Sequence, residues 1–137
     1  METKHRLLNI NIIQMKKKSL ITILILAFIV ELGLTVGGFF MPAKILEIFK
    51  VGYNNDTAFL GYIVAWFLLL VTILIGIALW QVTNNKNYTT LCYLLGFWWI
   101  GIGVGIYIIF GRPDNLALDS SKGLLLIVAT WRNNKKD

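Results

Sequence analysis

The run at residues 19–40, SLITILILAFIVELGLTVGGFF, is a nearly unbroken apolar segment of membrane-spanning length with one carboxylic acid, Glu31, inside it. Hydrocarbon offers the backbone no hydrogen-bond partners, so a single segment of this kind crosses as a helix, which satisfies its own amides and carbonyls. Counted back from Phe40 at the helical rise, Glu31 sits about 13 Å below the outer end of the span. An ionisable side chain at that depth needs a partner, a proton or water, and it marks a candidate functional site. Ala27, Thr35 and Gly38 stand at helical spacing from Glu31 and are small or polar. That face is therefore expected to look into a bundle and not at lipid.

Composition agrees with a membrane solvent. Of 137 residues, 57% are hydrophobic and only 15% are charged, and the mean hydropathy is +0.70, far from a soluble globular domain. The formal charge of +6 would suit nucleic acid, but the basic residues lie outside the apolar runs, chiefly in the two tails. They read as topology determinants, and no nucleic-acid partner is expected. One cysteine, Cys92, and one histidine, His5, exclude an internal disulfide and a His-based metal site. No metal or cofactor is expected. Nor is a nucleophile paired with a base or a phosphate-cradling glycine loop visible, so no catalytic residue is assigned.

Taken in order, the chain predicts an all-α, four-helix transmembrane bundle forming a single integral membrane domain over residues 1–137, with spans at about 19–40, 58–80, 89–110 and 115–131. Residues 1–18 are polar and basic, with an apolar patch at Leu7, Leu8, Ile10, Ile12 and Ile13 that fits either a short interfacial helix or a frayed tail. The first run lacks a cleavage site and is too long for a signal peptide, so it reads as an uncleaved span. Pro42 opens an amphipathic piece, AKILEIF, which predicts a short interfacial helix between the first and second spans. Asp56 is the expected N-cap of the second span. Asp114, after Pro113, is the expected cap of the fourth, whose first half carries Asp119, Ser120, Ser121 and Lys122.

Lysine and arginine counting sets the orientation. The N-terminal tail, the loop holding Lys86 and the C-terminal tail together carry nine, against three (Lys44, Lys50 and Arg112) on the other side. Both termini are therefore expected in the cytoplasm of a multi-pass protein of the cell membrane. With Asp114 as cap, Lys122 falls about 12 Å below the outer interface, close to the depth of Glu31. Glu31 and Asp119 both compete for its ammonium: Asp119 is one helical turn away, and side chains on the fourth helix lean toward it. Glu31, Asp119 and Lys122, with Trp98 and Trp99 near the middle of the third span as aromatic walls, form the candidate ligand-binding set. Against it stands a buried ion pair or hydrogen bond that fixes helix register, with the tryptophans filling space opposite glycines.

Two GxxxG patterns, Gly33/Gly37 and Gly101/Gly105, allow close helix approach within the chain, or contact with a second copy or another membrane partner. Three functional classes remain open: a non-enzymatic membrane protein binding a small ligand from the outer side, a membrane enzyme acting on an apolar substrate with Glu31 as acid or base, and an accessory subunit of a membrane complex.

The segments GGFFMPAKILEIF and GRPDNLALDSSKGLLLIVATW, together with the aromatic-rich middle spans, resemble the small BphX-like bacterial membrane proteins and, more loosely, four-helix DoxX-like proteins. The resemblance implies a four-helix protein of the bacterial inner membrane. It carries no catalytic residues to transfer.

Overall fold

A computed structural model of the chain describes residues 2–48 and 50–134, with side chains from residue 17 onward. Five helices make up its regular structure: α1 (Glu2–Phe40), α2 (Pro42–Ile48), α3 (Asn55–Thr83), α4 (Thr89–Phe110) and α5 (Pro113–Asn134). No strand occurs among the described residues. Lys17–Phe40 within α1, all of α3 and all of α4 are long and apolar enough to cross a membrane. The fourth expected span does not join them. α5 has 22 residues, but Asp114, Asp119, Lys122 and Arg132 with their polar neighbours dilute its apolar content. By length and composition, then, three helices qualify as spans and α5 does not.

Two further expectations change. α1 is helical without interruption from Glu2, so the chain before residue 19 is neither a separate interfacial helix nor a frayed tail. The side chains of its apolar patch lie outside the described residues. α3 is capped by Asn54 and not by Asp56: Asn54 Oδ1 accepts from the amides of Asp56 and Thr57 at 3.0 and 2.9 Å, while the Asn54 amide donates to Thr57 Oγ1 at 2.8 Å. This reciprocal pair satisfies the free amides of the first turn. Asp56 instead sits inside that turn, where its charge complements the helix dipole. In α5, Pro113 takes the first helical position, which needs no amide donor, and Asp114 follows it within the first turn.

The chain divides into two compact units, Met1–Ile25 with Ala78–Asp137, and Leu26–Ile77. In the second, α1 and α3 run antiparallel at close range. A side-chain carbon added at Gly38 would stand 3.0 Å from the Ala65 methyl, and one at Gly37 would meet Ile45 of α2 at 2.7 Å. Ala27, Glu31, Thr35 and Gly38 are all buried, as their shared face requires. Across from them, Thr72 of α3 meets Thr35, hydroxyl to hydroxyl, at 3.0 Å. α2 is the short helix expected after Pro42, and it buries Ile45 and Leu46. Phe39 packs edge-on against Trp66 with ring centroids 5.4 Å apart.

In the first unit, α4 and α5 form an antiparallel hairpin joined only by Gly111 and Arg112. Gly111 adopts a left-handed conformation (φ 63°), and its amide donates to the Tyr107 carbonyl at 2.8 Å, which closes α4. Glycine makes that backbone inexpensive. The two helices meet backbone to backbone at Gly96 and Gly123: a carbon added at Gly123 would collide with the Gly96 carbonyl and lie 3.0 Å from the Ile100 nitrogen. Bare glycines on both sides permit that approach, and dispersion between the closely packed helices holds it.

Candidate functional site

The antiparallel pairing of α4 and α5 decides what surrounds Lys122. Gly96 lies against Gly123 and Gly103 against Ser120, so Lys122 falls opposite Trp99, at the middle of α4. Its Nζ stands 4.5 Å from the centroid of the Trp99 ring and 3.2 Å from Asp119 Oδ1. The indole face attracts the ammonium through its quadrupole, and the carboxylate neutralises it from one turn back on the same helix. Trp99 is almost wholly buried, at 2% exposure. The charged side chains are not sealed: those of Lys122 and Asp119 keep 22% and 20% exposure. The ion pair thus rests on an aromatic ring and keeps partial exposure.

Of the five residues expected to form a site, Asp119, Lys122 and Trp99 come together in this unit. Trp98 does not join them. One residue along α4 is a rotation of about 100°, and Trp98 turns outward to 46% exposure. Glu31 belongs to the other unit and is buried, at 4% exposure. Its own carbonyl accepts from Thr35 Oγ1 at 2.7 Å, and Thr72 Oγ1 lies 2.8 Å from the Leu68 carbonyl. Two hydroxyl protons therefore serve three short contacts, because the Thr35–Thr72 contact also needs one of them.

The sequence reading missed several participants. Ser120 Oγ is buried and has no hydrogen-bond partner; it lies against Gly103, where an added carbon would be 2.5 Å away. Lacking a side chain, Gly103 gives the hydroxyl room and nothing to bond. At the far end of the hairpin, the Tyr88 hydroxyl accepts from Asn133 Nδ2 at 2.5 Å and donates to Asn134 Oδ1 at 3.2 Å, and Asn134 Nδ2 donates to Thr89 Oγ1 at 3.0 Å. Burial raises the Tyr88 phenol above its ordinary range, against the lowering effect of the Asn133 bond. The asparagine-rich ends of α3 and α5 were the available signal, but asparagine reads first as loop chemistry. Along α3, Ile63, Trp66, Phe67 and Leu70 border a shallow apolar depression that carries no polar group of the candidate set.

The GxxxG patterns separate. Gly37 is used within the chain, against Ile45, whereas Gly33, Gly101 and Gly105 have open space where a side chain would be. Comparison with family models, with curated proteins and with solved structures returns no match, so the site rests on its own geometry.

Proposed function

We propose that the chain is a small polytopic protein of the bacterial inner membrane that binds a small amphipathic ligand at Lys122 and Asp119. The observation that carries this reading is the ion pair itself: an ammonium held between a carboxylate and an indole ring, partly exposed, opposite the middle of α4, which is long and apolar enough to cross a membrane. Charge at that depth is expensive, and a pair required only for packing is replaceable by apolar side chains. In this reading α5 crosses beside α4. Support comes from their pairing, which runs from Asn134 at Thr89 to Asn115 and Ser120 at Gly103. Four crossings would put both termini on the same side, and the lysine and arginine distribution favours the cytoplasm as that side.

Native mass spectrometry of the protein extracted from its own membrane tests the reading. A bound small molecule is expected on the wild type and absent from Lys122→Met. An empty wild type, or a molecule retained equally by both, reduces the pair to a device for helix register.

A second reading, an accessory subunit of a membrane complex, has one observation in its favour: Gly101 and Gly105 stand open along α4. It predicts that Gly101→Leu releases a co-purifying partner without lowering the stability of the chain.

A further inference from the structure

Basic residues from three separate segments gather at one end of the unit that contains α4 and α5. Lys17 Nζ donates to Asn85 Oδ1 at 2.6 Å, which ties the start of the first span to the turn between α3 and α4. That turn carries Lys86, and its neighbours Tyr88 and Thr89 hold Asn133 and Asn134 at the end of α5, next to Arg132. Lys18, Lys86 and Arg132 are exposed. Among the described residues, 17–25, 78–95 and 126–134, which build this end, contain no aspartate or glutamate to offset the charge. The whole group lies where candidate spans begin and end: Lys17 opens one, Thr83 closes the next and Thr89 opens the third. In a bilayer this is the depth of the lipid head groups.

Topology alone requires basic residues on one side; it does not require the segments that carry them to be joined by side-chain bonds, as Lys17 to Asn85 and Tyr88 and Thr89 to Asn133 and Asn134 join these. We infer that this end of the unit is a binding surface for the head groups of anionic phospholipids, with Lys18, Lys86 and Arg132 as the cations that engage the phosphodiesters. A guanidinium offers a phosphodiester two parallel donors, and ammonium groups supply point charge beside it. Lys17, held by Asn85, positions the turn that carries Lys86. The inference rests on the membrane-spanning reading, but not on a ligand at Lys122.

The test uses the full-length protein in vesicles holding equal amounts of phosphatidylglycerol and phosphatidylcholine, with the lipids that stay bound on gentle release counted by native mass spectrometry. Flotation with the vesicles and resistance to alkaline extraction are measured first. If the wild type fails that step, the membrane-spanning reading falls and this surface with it. Once integrated, the wild type is expected to retain phosphatidylglycerol in preference to phosphatidylcholine by about fivefold or more, since each cation near an anionic head group is worth roughly that factor. The preference should shrink as salt is raised. The triple variant Lys18→Gln, Lys86→Gln, Arg132→Gln should bind the two lipids in their bulk ratio while floating as the wild type does. If that variant does not integrate, the salt dependence of the wild type decides alone: a preference indifferent to salt overturns the inference. A bulk ratio on the wild type, or an undiminished preference in an integrated triple variant, also overturns it. So does loss of the preference on adding inorganic phosphate at matched ionic strength, which would make this a site for the free anion.

Discussion

Lys122 shows how a single side chain is held in a setting that disfavours it. Asp119 and Trp99 each offset part of the desolvation, so removing one partner exposes the other. Lys122→Met is expected to lower stability in detergent by about 1.5–3 kcal/mol, the range for a hydrogen bond to a charged group. Combining it with Asp119→Asn should recover part of that loss in a thermal-unfolding cycle. Tyr88 brings a pH dependence of opposite chemistry. Burial raises its phenol above the reference value of 10.0, so the folded state holds that proton more tightly than the unfolded chain does. The resulting stability is fully present below the unfolded value and disappears as pH climbs through the raised one. Alkaline melting curves of Tyr88→Phe should lack this loss. Glu31 was legible as a buried residue from the sequence alone, because Ala27, Thr35 and Gly38 share its helical face and are all buried with it. Thr72, which meets Thr35 on that face, was not legible, since helical spacing says which face is buried but not which residue of another helix lies against it.

Among the helices, glycine positions separate packing from vacancy. A methyl at Gly123 meets the Gly96 carbonyl and the Ile100 nitrogen, both backbone, and neither can swing aside. Gly123→Ala should therefore lose about 1–3 kcal/mol, as overpacked sites do. Gly101→Ala meets nothing within 4 Å and should be neutral, or gain up to about 1 kcal/mol from helix propensity. Thermal unfolding of the two variants side by side checks both signs. Nothing in the sequence distinguished these glycines, because GxxxG spacing marks Gly101 and passes over Gly96 and Gly123. The start of α3 went astray for a related reason. Asp56 borders the apolar run, yet the helix begins earlier, and the reciprocal bonds of Asn54 and Thr57 determine where. Asn54→Ala should cost about 1 kcal/mol in the same measurement.

For the molecule as a whole, composition was enough for helices and three candidate spans; the fourth expected span, α5, does not qualify, because its polar residues dilute an element packed along α4. Reporter tags test the proposed topology: both termini and the Lys86 turn on one side of the membrane, the loop at Asn54 on the other. A C-terminal tag on the same side as Asn54 would remove α5 from the membrane. The two-residue link at Gly111 and Arg112 has a consequence for biogenesis. In the proposed topology α5 leaves the ribosome after α4 and is too polar to be accepted by the insertion machinery on its own merits. With so short a tether it enters only as the second arm of a hairpin, against an α4 already at the membrane. Fused alone behind a soluble carrier, α5 should stay in the aqueous phase; its place in the bilayer is inherited from its neighbour.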